Sequence, residues 1–315
     1  MTKLIFILLL TFSATITYCQ NQSWDSEKIV VHDQNIVSHV MSAHQIFEKR
    51  WDILPQAQFW KKIMCLSPDT CIVNIAKNRH VLESISSDQW IYLSREEKRK
   101  FRDSIRIKYN LTQDDLVYVT SGKNHFYNFN DVYPSISKGI YIFDSLSVDP
   151  WYAQSILLIE SPGQLKKSVS GAYGPFQLMP GVARAQGLIV NRSVDERSDF
   201  KKSAFGAASL IKKICIPETK KILNTHHIKY DENDIWFRLL VLHVYHAGAY
   251  NVGAVIDKIN PKLGTQELIK SMWQNKAAGF GNCSQNYSQI AIAANLILHD
   301  IVYENCHKII EKESR

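Results

Sequence analysis

The chain has 315 residues, of which 45% are hydrophobic and 21% are charged, and its formal net charge is +7. These proportions are ordinary for a globular protein and are enough for one large domain or two small ones. The mild positive charge is spread along the chain, and clusters such as Glu96-Glu97-Lys98-Arg99-Lys100 are typical of a solvated helix face. We therefore find no strong nucleic-acid signature and expect no nucleic-acid partner.

The first residues predict a targeting segment, a signal peptide over residues 1–19. Lys3 precedes an apolar run from Leu4 to Phe12, which is too short to span a membrane. Cleavage after Cys19 predicts an exported protein, periplasmic or in the cell envelope. A lipid anchor on Cys19, which would make an outer-membrane lipoprotein, is the alternative, although Tyr18 is bulky for the residue before a lipidated cysteine.

Export makes disulfides permissible, and five cysteines follow the signal peptide. Cys65 and Cys71 enclose a short loop and could pair with each other. Cys215, Cys283 and Cys306 then leave an odd count. No pair of cysteines or histidines shows the close ligand spacing of a zinc site, so we expect no metal and no cofactor.

The region upstream of about residue 145 has apolar residues mainly at helical spacing. This spacing predicts helices over residues 31–60, 73–85, 95–109 and 111–119, whereas residues 132–143 could be helical or extended. Ser94 and Glu97 predict a capping box at the start of the third helix. The same region contains Phe126, Tyr127 and Tyr133, which could line a sugar groove, although such aromatic residues are more often core.

From Asp149 onward the sequence predicts helices without long gaps. Asp149 is a good N-cap and Pro150 a good first helical residue, so a helix should run from about residue 150 to Glu160. A short helix from Pro180 to Gly187 should follow. The later helices should begin at Asp199, Pro217, Asn233 and Thr265, and the last should cover Asn286 to Val302.

Glu160 is the candidate acid of the chain. It lies in the last turn of its predicted helix, where the negative end of the helix dipole and the apolar run from Ala153 to Ile159 both oppose its ionisation. Both effects raise the pKa of a carboxyl group, as a general acid near neutral pH requires. The glycines at 171 and 174 let backbone approach a ligand, and Gln177 is one polar side chain among apolar ones.

Several spaced segments accompany this glutamate. Glu160-Ser161 is followed by Gly171-Ala172-Tyr173-Gly174-Pro175-Phe176-Gln177-Leu178-Met179-Pro180, by Val182-Ala183 to Gly187-Leu188, by Tyr245-His246-Ala247-Gly248, and by Tyr287. The order resembles the soluble lytic transglycosylase family, which carries Glu-Ser, Gly-Ala-x-Gly-Leu-Met-Gln-x-Met-Pro, Thr-Ala-x-x-x-Gly-Leu, Tyr-Asn-Ala-Gly and a late tyrosine. The departures are Pro175-Phe176 for Leu-Met, Val182 for Thr, His246 for Asn and a shorter Glu-to-Gln spacing. The resemblance covers roughly residues 146 to 300.

The resemblance implies a mainly α protein. A lysozyme-like helical catalytic domain of the goose type would occupy residues 146–305, after a smaller helical region of unknown role over residues 20–145. Residues 306–315 would form a carboxyl-terminal tail. The implied partner is the peptidoglycan glycan strand, and envelope protein partners stay open.

The resemblance also implies a reaction. A peptidoglycan lytic transglycosylase cleaves the MurNAc–GlcNAc β-1,4 bond and leaves 1,6-anhydro-MurNAc ends, with Glu160 acting as general acid and then as base. Ser161 would support the rotamer of Glu160, and the backbone at Gly174 would line the cleft. The implied substrate-binding residues are Ser161, Gly174, Gln177, Tyr245, His246 and Tyr287.

Two alternatives stay open from the sequence. A lysozyme-like hydrolase would use water and would need a second carboxylate near Glu160. The nearest acidic residues downstream, Asp195, Glu196 and Asp199, are interpreted as a loop and a helix cap. A peptidoglycan-binding module without turnover is the other alternative, and His246 together with Pro175-Phe176 favours it.

Overall fold

A computed structural model of the chain describes residues 23–33, 36–160 and 167–313. The expected signal peptide, the cysteine at its end and Ser161 lie outside these residues. The described fold is mainly α, as the sequence predicts, with two small antiparallel sheets. Over the described residues, no helix is both long and apolar enough to cross a membrane.

The amino-terminal region mixes helices and strands, so the prediction of a helical region is confirmed only in part. Its described helices are α1 (His44–Glu48), α2 (Pro55–Cys65), α3 (Asp88–Ile91), α4 (Arg95–Lys108) and α5 (Phe129–Ser145). Its described strands are β1 (Lys28–Asp33), β2 (Ile36–Met41), β3 (Thr70–Ile75), β4 (Val81–Ser86) and β5 (Val117–Ser121). β1 pairs with β2, and the second sheet has the order β4-β3-β5.

The helices predicted over residues 73–85 and 111–119 are wrong, and the one over residues 31–60 is wrong up to residue 41, before α1 and α2. Short apolar runs fit both the 3.6-residue period of a helix and the two-residue period of a strand. In β2, Ser38 and Val40 are buried whereas Val37 and His39 are exposed, which is the alternation of a strand. β-Branched residues dominate β3, where Ile72 joins the main core and Val73 packs with Ile105 of α4. The sheet therefore packs against the main core on one face and against α4 on the other.

Two other predictions for this region are tested by the described structure. Helix α4 begins where predicted, and its capping box is present, with Ser94 and Glu97 bonded reciprocally. The pairing of Cys65 with Cys71, which the sequence left open, is not present, because both are free thiols. Cys71 is buried inside β3 beside the hydroxyl of Ser121, whereas Cys65 is exposed at the end of α2.

The carboxyl-terminal half is helical, and most of its helices begin where their caps predict. Its helices are α6 (Pro150–Glu160), α7 (Pro180–Ala185), α8 (Phe200–Leu210), α9 (Ile216–Thr225), α10 (Ile235–Ala247), α11 (Ala249–Ile259), α12 (Gln266–Gln274) and α13 (Asn282–Glu313). A π-helical segment, Ile211–Cys215, joins α8 to α9 without a break. This widened turn precedes Pro217, which lacks the N–H of a regular helical bond. α13 continues through residues that the sequence assigned to a tail.

Helix α6 lies at the centre of the core and places Glu160 at its end. Every residue of α6 before Glu160 is buried, and the helix packs against α5, α13 and β2. Asp149 accepts the N–H of Trp151 at 2.9 Å and binds the guanidinium of Arg238 at 2.7 Å, which fixes the start of the helix. Because α2 packs on α13 and α5 on α6, the hydrophobic core is continuous across residue 145.

Candidate active site

A groove in two parts passes the end of α6. Its large arm has a volume of about 610 Å³ and lies between the amino-terminal region and α13. Its small arm has a volume of about 300 Å³ and lies beside the glycine-rich segment that contains Gln177. Glu160 and His246 line both arms, so the carboxyl group lies where the two arms meet.

The pKa of Glu160 fits a general acid. Burial raises it to about 7, and a hydrogen-bonding interaction with Tyr287 acts in the opposite direction. The charge of Glu160 in turn helps to raise the pKa values of Tyr127, Tyr245 and Tyr287, which places all three phenols close to the carboxyl group. The Glu160 side chain is only partly exposed and faces the groove rather than open solvent.

Glu160 is the only acidic side chain among the described residues that line either arm. The nearest downstream acids are used elsewhere, as predicted for a loop and a helix cap. Asp195 accepts the Nε–H of Arg197 at 2.8 Å, and Asp199 caps α8 by accepting the N–H of Lys202 at 2.8 Å. Glu196 binds the ammonium group of Lys202.

Tyr287 and His246 form one unit beside Glu160. Their rings stack with centroids 4.3 Å apart and an interplanar angle of 18°. The Tyr287 hydroxyl is buried and has no hydrogen bond of standard geometry within the described structure. It nevertheless interacts with the Glu160 carboxyl, which helps to raise the pKa of the phenol. His246 is exposed to the groove, but the walls around it lower the pKa of its imidazole, which is therefore neutral at pH 7.

The glycine-rich segment is held in one conformation by its own turn and by Tyr245. Tyr173 and Leu178 exchange two backbone hydrogen bonds of 3.2 Å, which closes a tight turn. Gln177 lies in the left-handed region at φ +45°, and its side-chain amide donates to the carbonyl of Gly174 at 3.0 Å. The hydroxyl of Tyr245 donates to the carbonyl of Phe176 at 2.6 Å.

Gly174 and Arg197 support this segment from behind. Gly174 has φ +82°, and a Cβ there would lie 1.7 Å from the carbonyl oxygen of Arg197. The guanidinium of Arg197 donates to the carbonyls of Gly171 and Leu178, each at 2.8 Å. Gly174 is therefore a packing position, whereas the sequence assigned its backbone to the cleft lining. The side chains of Gln177, Tyr245, His246 and Tyr287 do line the groove.

One wall of the large arm comes from the amino-terminal region, which the sequence left without a role. Its aromatic residues are Trp60, Trp90, Tyr118, Phe126 and Tyr127, and its cationic residues are Arg79, Arg102 and Lys123. Of the three aromatic residues that the sequence offered for a sugar groove, Phe126 and Tyr127 line the large arm, whereas Tyr133 packs against the core. No local motif joins these residues, since they come from three helices, a hairpin, a strand and a loop.

Two further observations concern the whole chain. Within the described ranges, no group of three or more His, Cys, Asp or Glu side chains is arranged to hold a metal ion. Comparison of the chain with protein-family models and with curated proteins found no match.

Proposed function

We propose that this protein is an exported peptidoglycan lytic transglycosylase. It would cleave the MurNAc–GlcNAc β-1,4 bond and leave 1,6-anhydro-MurNAc ends, and α6 to α13 would correspond to a lysozyme-like catalytic domain. The observation that carries the proposal is one partly buried carboxyl group, Glu160, with a pKa of about 7 at the junction of a two-armed groove. The motif resemblance around Glu160 supports the same function.

A single carboxyl group is sufficient for this reaction because its two tasks follow one another. Protonated Glu160 donates its proton to the glycosidic oxygen, and the bond between that oxygen and C1 of MurNAc breaks. The N-acetyl oxygen of the same sugar stabilises the cationic centre. The Glu160 carboxylate then takes the proton of the C6 hydroxyl, whose oxygen bonds to C1, so the acid is restored and no water is consumed.

The lining of the groove favours this reaction over hydrolysis. An ordinary glycosidase needs a second carboxylate at about 5–9.5 Å from the acid, either as nucleophile or as base for water. No second acid lines either arm among the described residues, and residues 161–166 contain no Asp or Glu.

The departures at Pro175-Phe176 do not argue for an inactive module. Phe176 is fully buried and packs against Phe143 and Phe200, with ring centroids 5.6 and 5.9 Å away. The substitution therefore changes the core beneath the glycine-rich segment and not the groove. His246 is neutral, so it keeps one donor and one acceptor for an N-acetyl group.

Digestion of purified peptidoglycan tests the proposal. The full mature chain is expected to release fragments with anhydro-muramyl ends, which are lighter by one water than the corresponding reducing fragments in mass spectrometry. Because Glu160 must be protonated to act, the rate is expected to fall as the pH rises through about 7. Fragments with only reducing ends would indicate a hydrolase, and a folded protein that creates no new ends would indicate a binding module.

Tyr287→Phe is expected to lower turnover about tenfold with little loss of stability, since only one hydroxyl group is removed. The hydroxyl lowers the pKa of Glu160, so its loss should raise that pKa and move the alkaline limb of the rate profile to higher pH. Initial rates of muropeptide release from pH 5 to 9 measure both effects. Tyr250→Phe is the control because Tyr250 is an exposed residue of α11. An unchanged rate and profile would exclude the role given to Tyr287.

A further inference from the structure

The wall that the amino-terminal region contributes to the large arm is cationic. Arg79 lies between β3 and β4, Arg102 lies on α4, and Lys123 follows β5. Among the described residues, none of the three makes an ion pair with a carboxylate, whereas Arg99 and Arg106 of α4 bind Glu96 and Asp103 of the same helix. They do not serve Glu160 either, because its pKa is set by burial and Tyr287.

Arg79 is the most unusual of these cations because it is only 6% exposed. Its guanidinium lies against the aromatic faces of Phe59, Trp60 and Tyr118, at 5.2, 5.7 and 5.4 Å from the ring centroids. Burial lowers the pKa of Arg79, which means that the surroundings disfavour its charge. A buried charge without a charged partner is costly to a fold, so an anion bound beside Arg79 would be favoured there.

The hydrogen bonds of Arg79 leave donors unused. Nη2 donates to the Oδ1 atom of Asn286 at 2.7 Å, and Nη1 donates to the Oδ1 atom of Asn74 at 3.3 Å. Both acceptors are neutral amides. The buried Nε–H has no partner among the described residues. A guanidinium has five N–H donors in a planar fork and each Nη atom uses only one of its two here, so Arg79 keeps donors for a carboxylate in the groove that it lines.

The other two cations repeat the same arrangement nearer the surface. The guanidinium of Arg102 lies 5.5 Å from the ring centroid of Trp90, and the ammonium of Lys123 lies 5.9 Å from that of Trp60. Each cation therefore stands beside an aromatic ring that lines the arm. Aromatic faces pack well against the apolar faces of sugar rings, and a neighbouring cation would bind an acidic substituent of the sugar.

We propose that Arg79, Arg102 and Lys123 form a subsite for a carboxylate carried by the glycan strand. The proposal rests on the proposed function and adds a substrate preference to it. On a muramyl strand the carboxylate has two sources: the lactyl group of a MurNAc without peptide, or the stem peptide attached to that group. Both present the same planar anion to the cationic wall.

The test is a binding measurement in a Glu160→Gln background, so that the ligands are not consumed. Isothermal titration calorimetry at pH 7 compares four tetrasaccharides: a GlcNAc–MurNAc repeat with free lactyl carboxylates, its uncharged primary amide, its stem-peptide form, and chitotetraose. The background protein is compared with Arg102→Gln/Lys123→Gln, whose side chains are partly exposed and whose loss should leave the fold intact. Lys98→Gln is the matched control, because Lys98 lies 5.4 Å from the Trp90 ring centroid without lining the groove.

We expect a carboxylate-bearing tetrasaccharide to bind about tenfold to hundredfold more tightly than its amide. The double variant keeps Arg79, so it should lose most of this ratio but not all of it, and it should bind the amide within about twofold of the background protein. Lys98→Gln should keep the ratio. A preference for the free lactyl form identifies that carboxylate as the ligand, and a preference confined to the peptide form identifies the stem peptide.

Three results would overturn the subsite. Equal binding of carboxylate and amide, with chitotetraose also bound, removes the subsite and leaves the proposed function standing. No binding of any tetrasaccharide removes both. Tighter binding of a single-stranded DNA oligonucleotide than of every tetrasaccharide would assign the cationic wall to nucleic acid.

Discussion

Glu160→Gln is expected to abolish glycan cleavage, with a loss of about a hundredfold to ten-thousandfold in rate or more, because an amide cannot donate the proton that the leaving oxygen needs. The change is nearly isosteric, so the fold should be kept. Release of anhydro-muropeptides measures the rate, and circular dichroism checks the fold. Glu48→Gln is the control, since the Glu48 side chain is exposed on α1 away from the groove. Full activity of the Glu160 variant would mean that another group is the acid.

The same variant has a pH-dependent effect on stability whose sign follows from the pKa of Glu160. That pKa is about 7 in the folded protein, against a reference of 4.5. Between these values the folded state binds more protons than the unfolded state, so this group stabilises the fold below about pH 4.5 and the contribution is lost as the pH rises through 7. Glutamine cannot ionise. The stability of Glu160→Gln minus that of the wild type should therefore be more favourable at pH 8 than at pH 5. Thermal unfolding of both proteins at both pH values measures this difference.

The elements that carry Glu160 could be predicted because their signals are local. Asp149 and Pro150 mark the start of α6 within two residues, and the uninterrupted apolar run that follows predicts a helix buried on all sides. Asp199 likewise predicts the start of α8. Position at the end of a buried helix is also what raises the pKa of Glu160, so the main property of the site follows from a short stretch of sequence.

The other wall of the groove could not be predicted, because the contacts that build it are long-range. Arg79 reaches Asn286 from a position 207 residues away in the chain. The strands that bring Arg79 there were assigned to helices, since the pairing of β3 with both β4 and β5 leaves no local periodic signal on a strand buried on both faces. The position of Arg79 is set by the hairpin turn between β3 and β4.

The sequence indicated that Gly174 allows a close approach of the backbone, but the group it approaches is different from the one expected. The glycine suggested close approach of backbone to a ligand, whereas the close approach is to the backbone of Arg197. Arg197 in turn binds two carbonyls of the glycine-rich segment, and Gln177 donates to the carbonyl of Gly174. The shape of the small arm therefore depends on packing behind it, which makes Gly174 a test of the whole arrangement.

Gly174→Ala is expected to destabilise the protein by about 2–5 kcal/mol, since the new Cβ meets both an unfavourable positive φ and a backbone carbonyl that cannot move freely. Loss of the turn should also misplace Gln177 and lower glycan cleavage. Urea unfolding measures the stability, and muropeptide release measures the activity. Gly181→Ala is the matched control: it lies on α7, a Cβ there meets nothing within 4 Å, and alanine should be neutral or stabilise by about 0.5–1 kcal/mol. If the two variants unfold at the same urea concentration, the contact with Arg197 does not hold the segment in place.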